Sequence, residues 1–420
     1  MKTWPRIIVH ADLNHCYAQI EEMKCPELVK VPMIVGGDES KRHGIVLAKN
    51  DLAKAHGIKT AETLRDAYKK CPELLVVPPH YDDYLYYTEK VKDIYRRYTN
   101  QVESFGLDEA WIDLTHSQRL YGDVLTLAHK IQEEIDEELG LKVSMGISFN
   151  KIFAKLGSDM DKKKGFTVIS PENYQELIFP LPVEELLYVG AATKRKLNAH
   201  YIYTIGDLAR TSRSYLRGLL GKNGEMIWAF ANGLDLSVVK QTHAKEKSIG
   251  NGATAVRDLK TFEDLKMIVY VLAESIAARL KEKQLVAGEV AICLRNSKLE
   301  SFSRQMSLYC ETNLAEEIAK MAMHLAYRNI VCRKDATFVT PFRTVTISVS
   351  KLKTASTVVQ LDLFEQTISR EKEARLEQAV EIIRNKYGFD KAKRLVMKMD
   401  ESLTDFNPKD DHIIHPESWF

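Results

Sequence analysis

Three acidic residues are the first candidates for chemistry in this chain of 420 residues. Asp12 follows a short apolar stretch at residues 6–11, which predicts a carboxylate at the end of a strand. Asp108 and Glu109 lie at the tip between two strands predicted within residues 102–114. Carboxylates that converge at strand ends can hold two divalent ions, of which one activates an attacking oxygen and the other neutralises a leaving pyrophosphate. Oxygen ligands beside phosphate favour Mg²⁺, although such acidic pairs also occur in ordinary solvated turns.

The elements that must position these acids alternate between strands and helices. The pattern predicts a helix from about Cys16, a strand over residues 143–148, and a helix from Lys151 that Asn150 can cap. Residues 181–235 are predicted to be helical throughout and to begin with a helix-hairpin-helix. Backbone amides at its Gly190 turn can bind DNA phosphate without reading sequence, whereas a plain helical turn is the alternative.

The C-terminal part predicts a second, basic domain. Residues 248–351 have the order β-α-β-β-α-β, a scaffold without a fixed function. Residues 240–354 contain 19 Lys and Arg against 12 Asp and Glu, a net charge of +7, although the whole chain carries only +2. Such a balance favours nucleic acid as a partner, while any single lysine there can equally belong to a solvated face. The helix that follows is predicted to pack through one stripe, namely Leu376, Val380, Ile383 and Tyr387.

Composition excludes several classes of protein. A hydrophobic content of 45% in 420 residues predicts more than one domain. No stretch approaches the roughly 18 apolar residues of a membrane span, and the N-terminus lacks the layout of a signal peptide. We therefore expect a cytoplasmic protein without a membrane partner. The six cysteines form no C-x-x-C pair, so the spacing predicts neither a zinc site nor a disulfide framework.

Three segments of this sequence resemble the palm motifs of the Y-family translesion DNA polymerases of the DinB/UmuC type. The segments are VHADLNHCYAQIEE at residues 9–22, SFGLDEAWIDL at 104–114 and GISFNKIFAKLGSDMDKKKG at 146–165. The resemblance implies that Asp12, Asp108 and Glu109 are catalytic ligands of two Mg²⁺ ions, with the Leu13 carbonyl as a further ligand. It implies that Tyr17 is the steric gate, whose flat ring leaves no space for a ribose 2′-hydroxyl. It also places Lys162 against the incoming triphosphate.

The predicted fingers depart from the family pattern. Residues 46–57 read VLAKNDLAKAHG and place Ala48, Asp51 and Lys54 where Thr, Tyr and Arg are usual. Lys54 supplies a point charge to the triphosphate instead of a bidentate fork, and His15 replaces an aromatic contact to the nucleotide. This stretch is closer to the UmuC branch than to the DinB branch, so dependence on accessory proteins stays open.

The resemblance implies a multidomain α/β (α+β) fold with the shape of a right hand. The expected palm is residues 1–12 and 76–166, the fingers 13–75, and the helix-hairpin-helix thumb 167–238. A linker at 239–247 leads to a βαββαβ little finger at 248–354 and a tail at 355–420. Expected contacts to DNA are Gly190, Lys247 and Ser248. The peptide QLDLF resembles the docking peptide for the bacterial sliding clamp (beta subunit), and it consists of Gln360, Leu361, Asp362, Leu363 and Phe364.

The function expected from this resemblance is error-prone, template-directed DNA synthesis past lesions by a monomer. Its partners would be primer-template DNA, deoxynucleoside triphosphates and the sliding clamp. The altered fingers keep a second interpretation open, namely a partner-dependent or weakly catalytic subunit that binds DNA and the clamp. A nucleotidyl cyclase would share the acidic pair but would not need a thumb, a basic domain or QLDLF.

Overall fold

The structure is a computed structural model, and it describes residues 4–37, 44–160, 162, 165–240, 246–355, 366–388 and 391–406. Contacts divide the chain into two compact units. Of the described residues, the first unit holds 4–37 and 45–240, and the second holds Gly44 together with 246–355, 366–388 and 391–406. Apart from Gly44, the described residues of the ranges predicted for palm, fingers and thumb fall in the first unit, and the boundaries of these ranges stay predictions.

The first unit contains eight strands and twelve α-helices among its described residues, besides two short 3-10 helices at Pro26–Lys30 and Val183–Glu185. The strands are β1 Ile8–Leu13, β2 Met33–Gly36, β3 Val46–Lys49, β4 Leu75–Val77, β5 Val102–Ser104, β6 Glu109–Asp113, β7 Val143–Ser148 and β8 Phe166–Ile169. The helices are α1 Cys16–Lys24, α2 Asp51–Ala55, α3 Leu64–Lys70, α4 Tyr81–Arg96, α5 Gln118–Tyr121, α6 Val124–Leu139, α7 Lys151–Met160, α8 Tyr174–Ile178, α9 Ala191–Asn198, α10 Ile205–Arg210, α11 Arg213–Leu220 and α12 Lys222–Ala231.

A five-stranded sheet in the order β5-β6-β1-β7-β8 forms the centre of this unit. Both neighbours of β1 run antiparallel to it, and all six residues of β1 are buried. Successive side chains of a strand point to opposite faces, so each face of β1 packs against different elements. Val9 and Ala11 join an apolar cluster with residues of α4 and α6. Ile8 packs with Ala154 of α7, on the opposite face.

Helix α7 lies directly on the sheet because β7 has a glycine at the point of closest approach. A Cβ atom on Gly146 would lie 2.1 Å from the Ala154 carbonyl oxygen and 2.4 Å from the Ser158 amide nitrogen. Those distances are far below van der Waals contact, so any larger residue would force α7 away from the sheet. The predicted Asn150 cap is confirmed, since its Oδ1 accepts a hydrogen bond of 2.8 Å from Phe153 N.

A smaller layer holds the second sheet of the first unit, in the order β3-β2-β4. Helices α2 and α3 pack on this sheet through a separate apolar cluster that contains Ala53, Ile58 and Cys71. Asn50 caps α2 and also accepts a hydrogen bond of 3.1 Å from Met33 N, which ties the helix to β2. The helical prediction for residues 181–235 is confirmed by α9 to α12.

The second unit has the predicted β-α-β-β-α-β order. Its elements are β9 Ser248–Leu259, α13 Phe262–Glu282, β10 Leu285–Asn296, β11 Ser301–Thr312, α14 Ala315–Asn329, β12 Phe342–Ser350, the short β13 Lys353–Thr354, α15 Gln366–Tyr387 and α16 Glu401–Thr404. The sheet order is β11-β10-β12-β9. Alternate residues such as Val290, Ile292 and Ile347 are buried with α13 and α14, which cover only one face of the sheet.

The predicted apolar stripe of helix α15 is wrong for three of its four residues, since only Val380 is partly buried. Leu376, Ile383 and Tyr387 are 56%, 42% and 60% exposed, whereas Glu377 is only 8% exposed. The side of α15 that faces α14 is charged: Glu377 accepts hydrogen bonds of 3.1 Å from the amide nitrogens of Ala315 and Glu316, at the start of α14. The helix therefore docks by capping another helix and by ion pairs, which an apolar pattern does not reveal.

An arginine completes this charged contact. Arg394 lies within 3.2 Å of four carboxylates of the second unit, which belong to Glu274, Glu316, Glu373 and Glu377. Its partners come from α13, α14 and α15, so a single guanidinium joins three helices.

Candidate active site

The structure brings Asp12 and Glu109 together at one end of the central sheet. They are directly opposite each other in the antiparallel pair of β1 and β6. Opposite residues of such a pair have Cβ atoms about 5 Å apart, so both carboxylates occupy the same face. Asp12 lies inside β1 and not after its end, because Glu109 and Ser144 both pair with it. The strand thus begins two residues later than predicted and includes the acid.

Asp108 stands immediately before β6. Its backbone oxygen accepts a hydrogen bond of 3.1 Å from Leu13 N, which joins the two acidic segments. The turn before it contains Gly106 with φ +83°, a conformation that glycine adopts without strain. Burial, then the charges of Glu109 and Asp12, raise the pKa of Asp108 to about 6. The charges of the three carboxylates oppose one another, so a cation would stabilise them, although their oxygens do not all lie within 4.8 Å of one another.

Two lysines contact these acids. Lys155 Nζ of α7 lies 2.9 Å from Glu109 Oε1 and 3.4 Å from Asp12 Oδ2. Lys162 Nζ lies 3.1 Å from Asp12 Oδ2. Both lysines also pair with Asp159, at 3.1 and 3.4 Å. Because Asp159 is a second partner, either ammonium group can leave Asp12 for another anion without becoming unpaired.

The acids and lysines act on one another's ionisation. Burial, then Glu109, raise the pKa of Asp12, while the two lysines oppose that rise. Burial opposes the charge on Lys155, but Glu109, Asp159 and Asp12 together raise the pKa of this lysine. Lys155 therefore stays positively charged inside the site.

A buried histidine lies behind Glu109. His10 Nδ1 is 2.8 Å from Ser158 Oγ, and His10 Nε2 is 3.5 Å from Glu109 Oε2. Burial, then the charge of Lys155, lower the pKa of His10 to about 3, so the ring is neutral near pH 7. His10 was absent from the sequence-based candidates, although its alternation with Asp12 along β1 places both on one face.

Tyr17 lies close enough to the acids to interact with Asp108, since burial, then the charge of Asp108, raise the pKa of Tyr17. Its ring stacks on Tyr84 with centroids 4.4 Å apart and an interplanar angle of 8°. Tyr81 meets it edge-on at 6.1 Å. The Tyr84 hydroxyl donates a hydrogen bond of 2.5 Å to Glu21, which fixes the supporting ring. Tyr17 is therefore half-buried and packed against two other aromatic rings.

The remaining nucleotide candidates are Lys54 and His15. Lys54 is exposed on α2, and burial, then the charge of Lys54, lower the pKa of Lys49 on β3. The charge of Lys162 also lowers the pKa of Lys49, so Lys49 interacts with both Lys54 and Lys162. Lys49 was not among the nucleotide-binding residues predicted from the sequence. His15 adopts a left-handed conformation at the start of α1, with Nε2 3.6 Å from Glu22.

The predicted contacts to DNA are on the surface of each unit. Gly190 precedes α9 and is exposed, and a Cβ atom there would meet nothing within 4 Å. Lys247 and Ser248 are exposed at the start of β9. The predicted clamp peptide, residues 360–364, lies outside the described residues.

The sheet of the second unit has one face that α13 and α14 leave open. Cys293 in β10 pairs with Ser303 on one side and Thr346 on the other, and Thr346 pairs with Gly252. The next row contains Gln305, Ala291, Ser348 and Gly250. Small and hydroxyl-bearing residues thus dominate these rows, which allows another backbone to approach closely.

Comparisons with known proteins agree over most of the chain. Residues 11–159 match the impB/mucB/samB family, and residues 246–363 match the C-terminal domain of that family. The chain is 41% identical over 400 residues to a protein named DNA polymerase IV from Acetivibrio thermocellus, covering 95% of this chain and 99% of that protein. A DNA polymerase IV from Clostridium acetobutylicum is 33% identical, covering 93% and 98%.

The fold is also found among solved structures. The structure titled "Y-family DNA polymerase chimera Dbh-Dpo4(243-245)-Dbh" matches with a TM-score of 0.72, covering 82% of this chain and 98% of that one. Its sequence identity is 21%, so this likeness concerns the fold. None of the helices in the described ranges combines the length and apolar character that crossing a bilayer requires.

Proposed function

The chain belongs to the impB/mucB/samB family and is a Y-family DNA polymerase of the DinB type, and we propose that Asp12, Asp108 and Glu109 form its polymerisation centre. Its activity is template-directed DNA synthesis of the translesion kind. The observation that carries the proposed centre is the pairing of Asp12 with Glu109 across β1 and β6, beside Asp108 and two lysines.

The donors at this centre suit Mg²⁺. All three side chains offer carboxylate oxygens, and the Leu13 carbonyl would add a fourth oxygen, which is the ligand type that Mg²⁺ prefers. Burial, then the charges of Glu109 and Asp12, raise the pKa of Asp108 to about 6, and divalent cations would relieve the repulsion among these acids. Two such ions, when bound, would activate the primer 3′-hydroxyl and neutralise the leaving pyrophosphate.

The chain's own residues perform the remaining tasks. We assign Lys162 and Lys54, together with Lys49, to the phosphates of the incoming nucleotide, because Lys162 contacts Asp12 and the charges of Lys54 and Lys162 both act on Lys49. Lys155 holds the carboxylates in place from α7. Tyr17 excludes the ribose 2′-hydroxyl, and Tyr84 keeps its ring from rotating away.

The second unit is proposed to hold the DNA duplex. Its open sheet face offers hydroxyls and backbone close to the surface, and Lys247 and Ser248 stand at the edge strand β9. Contacts of this kind fit the sugar-phosphate backbone without reading bases, which a polymerase that works at any sequence requires. Gly190 at the start of α9 would bind backbone phosphate in the same manner.

The sliding clamp is proposed as a partner through residues 360–364. This peptide falls between β13 and α15 in sequence, so both of its flanking elements belong to the second unit. Replacing Leu361, Leu363 and Phe364 by alanine should remove the stimulation of synthesis by the clamp, because these side chains would fill its apolar groove. Synthesis without the clamp should be unchanged. An equal loss with and without the clamp would contradict the assignment.

The test of the proposed function is primer extension by the purified chain with Mg²⁺ and all four deoxynucleotides. Templates with and without an abasic site should both be copied. DNA binding without extension would contradict autonomous activity and favour the partner-dependent alternative that the altered fingers motif left open.

A further inference from the structure

Away from the carboxylate centre, His56, Cys71 and Glu73 come together in the first unit. One ligand atom from each side chain lies within 4.8 Å of the other two. Among the residues that the structure describes, no other group of three His, Cys, Asp or Glu side chains meets that limit. His56 and Glu73 are exposed, whereas the Cys71 side chain is buried in the apolar cluster under α2 and α3.

The ends of two helices hold these residues close to one another. His56 caps the C-terminus of α2, and Cys71 caps the C-terminus of α3. Lys70 Nζ donates a hydrogen bond of 2.9 Å to the carbonyl oxygen of Gly57, which holds the residue after His56 against the residue before Cys71. The charge of Lys70 is compensated by Glu62 at 2.5 Å. Two helix C-termini, the negative ends of the helix dipoles, thus meet at the cluster and favour a cation.

The ligand atoms of the three side chains indicate which cation the cluster would bind. A thiolate, an imidazole nitrogen and a carboxylate oxygen are the ligands of Zn²⁺, whereas Mg²⁺ takes oxygen ligands. Ligand atoms at about 2.0 to 2.3 Å from one tetrahedral ion are separated from each other by roughly 3.3 to 3.8 Å. The three ligand atoms here lie within 4.8 Å of one another, so they must move closer by up to about 1 Å to bind one ion. The exposed side chains of His56 and Glu73 can rotate to supply it.

We propose that His56, Cys71 and Glu73 form a second metal site, for Zn²⁺, that cross-links α2 to the turn after α3. Three protein ligands leave the fourth tetrahedral position to water. Binding converts the Cys71 thiol to a thiolate and releases its proton to solvent. The ion would stabilise the packing of α2, which carries Lys54, on the β3-β2-β4 sheet, and the site shares no residue with the polymerisation centre.

Titration of the full-length protein with Co²⁺, in a phosphine reductant, tests this site. Co²⁺ replaces Zn²⁺ in such sites, and a cobalt-thiolate bond gives charge-transfer absorption in the near ultraviolet. We expect one equivalent of Co²⁺ to produce this absorption and Zn²⁺ to displace it, because Zn²⁺ binds more tightly than Co²⁺. Millimolar Mg²⁺ should not displace it.

Matched variants locate the ion. Cys71→Ser should abolish the absorption, while Cys25→Ser, at an exposed cysteine, should retain it. His56→Ala and Glu73→Gln change exposed side chains and should keep the fold while each weakens Co²⁺ binding about tenfold or more. No absorption in the wild type, or the same absorption in Cys71→Ser, would overturn the proposal. So would an unchanged affinity in both of the other variants.

Discussion

The two large sheets of this protein differ in what covers them. In the first unit, β1 is buried along its whole length, with α4 and α6 on one face and α7 on the other. In the second unit, β12 alternates between buried and partly exposed residues, because helices cover one face alone. Polar groups in the doubly covered sheet must be paired and are therefore held rigidly, which suits chemistry. The uncovered face of the second sheet can contact a large partner without displacement of α13 or α14.

Asp108→Asn should have the largest effect of any substitution in the covered sheet. It keeps the shape of the side chain and removes one of three carboxylates, so primer extension should fall by about a thousandfold. Single-turnover primer extension measures the loss, and circular dichroism checks the fold. Asp136→Asn, at an exposed position of α6, is the matched control and should retain full activity. Extension by Asp108→Asn at the wild-type rate would remove Asp108 from the centre.

Glu103→Ala should destabilise the covered sheet by about 3 kcal/mol, because it leaves a buried lysine without its partner. Glu103 accepts hydrogen bonds of 2.7 Å from Lys151 Nζ and from Lys240 N. Denaturant unfolding measures the change. Glu27→Ala removes the exposed pair with Lys30 and should cost less than about 1 kcal/mol. Equal losses of unfolding free energy in the two variants would show that the buried ion pair stabilises the protein no more than the exposed one.

Tyr17→Ala should weaken the preference for deoxynucleotides over ribonucleotides by about a hundredfold, since it opens the space that the ring fills. The ratio of kcat/KM for the two nucleotide types measures this preference. Tyr17→Phe keeps the ring and its stacking on Tyr84, so it should keep the preference. Unchanged discrimination in Tyr17→Ala would place the gate elsewhere.

Thr346→Glu should have the smallest effect and should act on the open sheet alone. A negative charge in the middle of that face should lower DNA affinity about tenfold through repulsion of phosphate. Fluorescence anisotropy with a duplex measures the affinity at two salt concentrations, and the loss should shrink at the higher one. Thr346→Val has the same shape without charge and should bind nearly as the wild type. Equal binding by both variants would show that DNA does not contact this face.

The order of the elements and the main acids could be predicted from the sequence. Strand β7, the Asn150 cap and the β-α-β-β-α-β order follow from local periodicity and capping, which depend on neighbouring residues alone. The same local signals failed for α15, where the periodicity of Leu376, Ile383 and Tyr387 is apolar but the buried side is charged. Its docking depends on the start of α14, 61 residues away at Glu316.

What the sequence by itself determined is which residue types stand on which elements: Asp12 on β1, the Asp108 and Glu109 pair before and in β6, and Tyr17 on α1. Only the tertiary structure decided that Lys155 reaches Asp12 and Glu109, and that His10 stands behind them. It likewise gathered His56, Cys71 and Glu73, whose spacing matches no metal motif. The physical reason is that such contacts depend on how α7 or α3 packs against other elements, and packing is set by shape across the whole fold and not by spacing along the chain.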